Sequence, residues 1–201
     1  MEMLRMDHIT KIYPNGFVAN KDVTFAVNEG EIHSLVGENG AGKTTLMKIL
    51  FGMEDKQGGD IFIREQKVKI TSPLDAISKG VGMVHQHFML LNSLTVAENV
   101  VLGIEPMKNG LFDFEEAVVM TQKIADKYNF ALDARTRVKD LSVGQMQKVE
   151  ILKALIKGAR VLILDEPTAV LTPQETEELF EQLLLLREDG HAIIFISHKL
   201  E

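Results

Sequence analysis

Val36-Gly37-Glu38-Asn39-Gly40-Ala41-Gly42-Lys43-Thr44-Thr45 is the stretch whose reading decides the fold. It fits the pattern G-x-x-x-x-G-K-[ST], and its flanks fit too, since Glu31 to Val36 reads as a short apolar strand and Lys43 to Phe51 as the opening of a helix. A glycine-rich turn at such a junction points successive backbone N–H groups inward, and the helix behind it adds unpaired donors and roughly +0.5 of dipole charge. That geometry binds phosphate. Gly37, Gly40 and Gly42 allow close approach, and Asn39 and Ala41 complete the turn. Lys43 brings a point charge to the β- and γ-phosphates, the Thr44 hydroxyl suits a Mg²⁺ that keeps several waters, and Thr45 is a candidate donor to the α-phosphate.

The 201 residues suffice for a buried core, and 45% hydrophobic with 25% charged residues excludes a disordered chain. No apolar stretch approaches the ~18 residues of a membrane span. Met1 to Thr10, with Glu2, Arg5, Asp7 and His8, does not read as a secretory leader. The absence of cysteine excludes disulfides and thiolate metal sites and fits a reducing compartment. A net charge of -7 without a basic cluster argues against a nucleic-acid partner. It does not argue against ATP, because screening over about 8 Å leaves that to local donors.

Outward from the turn, Leu4 to Ile9, Val23 to Val27, Ile61 to Ile63 and Lys67 to Ile70 read as strands of a small antiparallel sheet, the last two joined at Glu65-Gln66. Val161 to Leu164 and Ala192 to Ile196 are apolar throughout, as parallel strands covered on both faces must be, and Val81 to Val84 is expected to join them. A helical region lies between. Thr95-x-x-Glu98 and Asp113-x-x-Glu116 are capping boxes, Ala117, Met120, Ile124 and Tyr128 repeat at helical spacing, and Glu105 to Gly110 is read as a loop between the two helices. Thr172-Pro173-Gln174-Glu175 opens another helix, expected to turn Leu179, Phe180, Leu183 and Leu184 inward.

Asp165 and Glu166 follow a buried parallel strand at its carboxyl end, where ligands of open α/β sheets bind. Asp165 is read as a Mg²⁺ ligand through water, and Glu166 as the base that polarises the water attacking a γ-phosphate. Three further segments are candidates to surround that phosphate. Gln86 follows one strand, Ser197-His198 follows another, and Leu141-Ser142-Val143-Gly144-Gln145 opens a helix running to about Lys157, with Ser142 and Gln145 spaced as a capping box. His85 and His87 lack the further ligands a metal site needs.

In this order the motifs resemble the ATP-binding cassette ATPase family over essentially the whole chain. The resemblance implies an α/β fold: a P-loop NTPase core with a mainly parallel sheet and an antiparallel β subdomain (1–86 and 158–201), and an inserted helical subdomain (87–157). It implies ATP and Mg²⁺ as cofactors, with Tyr13 stacking on adenine, Gln86 sensing Mg²⁺ and the attacking water, and His198 contacting the γ-phosphate. An ordinary surface aromatic is the other reading of Tyr13. Ser142, Val143, Gly144 and Gln145 then face the ATP held by a second cassette, so that one cassette carries two half-sites.

Val143 stands where the family pattern commonly has glycine, and Thr172 where it usually has aspartate, which puts symmetric coupling of the two sites in doubt. With Gly82 to Phe88 and Glu98-Asn99, these variants look like the N-terminal cassette of tandem ATPases energising bacterial nucleoside and simple-sugar importers. That implies transmembrane permease subunits, an extracellular substrate-binding protein and a cytoplasmic place on the inner face of the membrane. The chain is read as a fragment, since such cassettes continue past the histidine. Phe88 to Leu102 is the expected permease-docking surface, with Met89, Leu90 and Leu91 open to a second reading as subdomain core. The rival function is a soluble cassette ATPase of translation or DNA metabolism; the lack of cysteines and the compact interval between Gln86 and Ser142 disfavour the DNA-repair type.

Overall fold

The computed structural model describes residues 1–38 and 40–197. The chain opens with β1 (Glu2–Ile12), β2 (Val18–Asn28), β3 (Ile32–Val36), α1 (Lys43–Leu50), β4 (Gly58–Ile63), β5 (Gln66–Val68), α2 (Pro73–Ser78) and β6 (Val81–Val84). It continues through α3 (Val96–Val101), β7 (Met107–Lys108), β8 (Leu111–Phe112), α4 (Phe114–Lys127), α5 (Val143–Ile156), β9 (Val161–Asp165), α6 (Pro173–Glu188) and β10 (Ala192–Ser197). The antiparallel sheet has the order β2-β1-β4-β5, and the parallel sheet the order β3-β10-β9-β6.

The apolar runs of β9 and β10 are explained by what covers each face. Successive residues of a strand point to opposite sides. Ile163, Ile194 and Ile196 join one core with Leu46, Met47 and Leu50 of α1 and Leu4, Met6 and Ile61 of the antiparallel sheet. Leu162, Leu164, Ile193 and Phe195 join the other, with Val149, Ile151 and Leu152 of α5 and Leu179, Leu183 and Leu186 of α6. Leaving either face polar would bury uncompensated groups, so the strands carry no alternation.

Several expectations shift. The loop read over Glu105 to Gly110 contains half of a small hairpin, β7 paired with β8 about Asn109-Gly110, both at positive φ as a tight hairpin turn demands. The turn between β4 and β5 falls at Arg64-Glu65, one residue before its expected place, and both residues sit at positive φ. Helix α2 was not foreseen, although Ser72 caps it and Pro73 fills its first position. On α6, Phe180 and Leu184 are exposed, because the inward stripe runs through Leu179, Gln182, Leu183 and Leu186. Phe180 instead stacks on Phe195, with ring centroids 5.5 Å apart.

Candidate nucleotide site

Parallel register brings the candidate residues to one edge. Val36 lies opposite Ser197, Ile196 opposite Asp165, and Val84 opposite Leu164, so the carboxyl ends of β3, β10, β9 and β6 form a single rim. The glycine-rich turn leaves β3 at this rim, Asp165 and Glu166 leave β9, and Gln86 follows β6 as an exposed side chain. Glu166 adopts φ +50 and donates its N–H to the Ile196 carbonyl at 3.1 Å. A non-glycine residue pays to sit there, and such conformations gather at functional sites. Asn39 and His198 lie outside the described residues.

Gly42 is the N-cap of α1 at φ +85, and a Cβ there would collide with the Ala19 carbonyl oxygen. Among the described residues no side chain caps α1 and no acidic residue occupies its first turn, whereas α2 through α6 each donate a first-turn N–H to a capping side chain, that of Ser72, Thr95, Asp113, Ser142 and Thr172 in turn. Beside that open N-terminus lies a cavity of about 120 Å³ lined by Phe17, Ala19 and Gly40 to Thr45. Lys43 Nζ is held over the turn by the Gly37 carbonyl at 2.5 Å and the Glu38 carbonyl at 3.0 Å. A cationic head held by carbonyls, open amide donors and a cradle without side-chain bulk fit a phosphate chain. Thr44 and Asp165 offer oxygen ligands, too few for a resident ion and enough for a Mg²⁺ that arrives with phosphates.

Tyr13 is half-buried at this end, its hydroxyl 3.5 Å from Thr45 Oγ1, its ring stacked on Phe17 at 6.3 Å and Lys11 Nζ 4.9 Å from its centroid. Sequence reasoning missed Phe17, although a Tyr-x-x-x-Phe pair in one connection was visible. It also missed Asn20, whose buried amide donates to the Gly42 carbonyl at 3.3 Å and braces the turn.

The signature residues start α5 as a complete capping box. Ser142 Oγ accepts from Gln145 N at 3.2 Å, and the Gln145 side chain accepts from Ser142 N at 2.9 Å. Val143 is exposed and Gly144 buried. Ser142 Oγ and Gly144 N also donate to one oxygen of Glu175 at 3.2 and 3.3 Å. The segment after Gln86 is tied to the same helix. Glu150 accepts from Met89 N at 2.6 Å, Lys153 donates to the Met89 carbonyl at 2.8 Å, and the two pair at 3.2 Å. Leu90 packs into the second core, while Met89 and Leu91 are exposed.

The family model described as "ABC transporter" matches residues 20–169. A guanosine import ATP-binding protein of Bacillus subtilis is 49% identical over 192 residues, 96% of this chain and 38% of that protein. A glucose import ATP-binding protein of Haloferax volcanii is 47% identical over 228 residues, 98% of this chain and 41% of that one. The chain therefore spans about two fifths of the length of the curated relatives it matches. Among solved structures, an ATP-binding cassette of an ABC transporter in its ADP conformation superposes with a TM-score of 0.87 at 27% identity, covering 100% of this chain and 83% of that one. A dimeric cassette in a post-hydrolysis state, bound to ADP and Pi, gives 0.79 at 27% identity, covering 98% and 88%. The matched span takes in the glycine-rich turn, Gln86, the α5 N-terminus and Asp165-Glu166, and a match of that extent shows that the chain belongs to the ABC transporter family, as an ATP-binding cassette.

Proposed function

We propose that this chain binds and hydrolyses ATP with Mg²⁺ to energise a membrane importer of nucleosides or simple sugars. The observation that carries the reading is the shared rim of β3, β9 and β6, which puts a phosphate turn, a carboxylate pair and Gln86 on one edge. Support for the cargo class comes from relatives named for guanosine, glucose and ribose import. No helix among the described residues is long and apolar enough to cross a membrane, so the reading calls on separate permease subunits, with an extracellular substrate-binding protein to deliver cargo. It places the cassette in the cytoplasm, on the inner membrane face, with 87–157 as a helical subdomain and Met89 and Leu91 in its docking surface.

In this reading the Lys43 ammonium and the α1 amides neutralise and orient the phosphate chain, which is most of what phosphoryl transfer requires. Glu166 takes the proton of the attacking water. Tyr13 offers a ring face to the base, and Gln86 and His198 contact the water and the γ-phosphate. Thr44, Asp165 and Gln86 would hold Mg²⁺, which would supply further charge neutralisation at the γ-phosphate. Ser142, Val143, Gly144 and Gln145 complete the site of a second cassette, whether a tandem half or a dimer partner.

Turnover of this chain and of Glu166→Gln, measured with Mg²⁺ across protein concentration, tests the reading. ATP binding in both, activity that rises steeply with concentration, and a loss of about 10²-fold or more in Glu166→Gln are expected. Equal activity in the two variants would overturn the base assignment. High specific activity in a proven monomer would overturn the need for a second cassette.

A further inference from the structure

The donors assigned to a second cassette's nucleotide are already engaged within this chain. Glu175 Oε1 accepts from Ser142 Oγ at 3.2 Å and from Gly144 N at 3.3 Å. Its Oε2 accepts from Thr172 N and Thr172 Oγ1, both at 3.1 Å. One carboxylate thus closes two helix N-termini, those of α5 and α6, where unpaired amides and the helix dipole favour an anion. Gly144 leaves room for it, since a Cβ at that position would collide with the Glu175 carboxylate. The helices are held side by side by a second link, from buried Lys148 to Glu178 at 2.9 Å.

We propose that Glu175 is the resident anion of the signature: in a lone cassette it holds the Ser142 and Gly144 donors, and a γ-phosphate presented by a second cassette engages them only by displacing it. This rests on the two-cassette reading above and adds to it a threshold for nucleotide-driven pairing. Displacement is local. Oε1 can leave while Oε2 keeps the α6 capping box, so no helix has to unwind. A phosphate oxygen and a carboxylate cannot share two donors at close range without strong repulsion. The hydrogen bonds from Thr172 first, then those from Ser142 and Gly144, hold the Glu175 carboxyl below the usual carboxylate range, so at neutral pH it is an anion.

Glu175→Gln separates charge from capping. Glutamine serves at the third position of a capping box, but its single oxygen cannot accept from both helix ends, so one contact must open. In a Glu166→Gln background that stalls turnover, sedimentation with Mg²⁺ and ATP is expected to show pairing at a protein concentration about 10-fold lower or less once Glu175→Gln is added. Unchanged or weaker pairing by a variant of unaltered melting temperature would overturn the proposal. If neither variant pairs although ATP binds, the two-cassette reading falls, and this proposal with it. Hydrogen exchange on the nucleotide-free chain tests the contact alone. The Gly144 amide has no intrahelical acceptor, and Glu175 Oε1 is the acceptor the structure gives it, so removing the carboxylate should speed its exchange. Exchange about 10-fold faster in Glu175→Ala, against unchanged amides deeper in α5, is expected; an unchanged rate would remove the resident anion and sink the proposal without touching the two-cassette reading.

Discussion

At the scale of the residue, two glycines of one turn predict different outcomes. Gly42 and Gly40 both sit at φ above +80, but a Cβ at Gly42 strikes the Ala19 carbonyl while one at Gly40 meets nothing within 4 Å. Gly40→Ala is expected to cost the nucleotide-free chain only the left-handed conformation, about 1 kcal/mol. Gly42→Ala carries the same cost and must also push the β2 backbone away from the turn, so it should lose clearly more stability. Urea unfolding of the two nucleotide-free variants checks this, and equal losses would refute it. The sequence names both glycines and distinguishes neither, because the difference lies in Ala19, 23 positions upstream of Gly42. Glu166 is similar: its place after a strand is legible, and its φ of +50 is not.

At the scale of the element, helix starts were the most legible feature, since a cap is a short-range device. Ser142, Thr95 and Thr172 form complete boxes, and Asp113 accepts from Glu116 N. The Asn109-Gly110 hairpin was equally local and was overlooked, while the facing of α6 depended on neighbours that periodicity does not contain. Asn99 shows what a cap reader misses. Buried on α3, it donates to the Leu91 and Thr95 carbonyls at 3.0 Å each and accepts from Leu91 N at 2.8 Å, fixing the connection after Gln86. Asn99→Leu leaves Leu91 polar groups without partners and should lower stability by about 2–3 kcal/mol. Urea unfolding measures it, and a midpoint equal to the parent's would show that water replaces the amide.

At the scale of the whole molecule, the sheet order and the joints between helices were invisible in sequence, because they join residues far apart in the chain. The α4 end meets the connection from α6 to β10 through Tyr128, whose hydroxyl donates to Asp189 at 2.6 Å, and through Lys127, 2.9 Å from the same carboxylate. Gln182 donates to the Asn129 carbonyl at 3.0 Å. Buried His191 sits in this joint against the Tyr128 ring, with Arg160, Lys127 and Asp189 as its charged neighbours. Burial first, then Arg160, pushes its pKa below the usual histidine range, against the pull of the Leu186 carbonyl and Asp189. The unfolded chain therefore binds the proton first as pH falls, so the stability His191 contributes is full above about pH 6.5 and is lost below it. His8, raised by Asp22, slopes the other way and is common to both proteins compared. Melting temperatures between pH 7.5 and 5.5 should fall less steeply in His191→Gln than in the parent; parallel curves would show that His191 takes no part.

The first turn of α1, without a side-chain cap among the described residues, offers its amides to whatever anion binds there, so phosphate binding and folding become one linked equilibrium. Any ligand that presents phosphate there, pyrophosphate included, draws the chain away from its unfolded ensemble by about 2.7 kcal/mol at a hundred times its dissociation constant. Under the proposed function, cellular nucleotide stabilises the cassette as well as fuelling it, and the chain without nucleotide is the better substrate for proteases.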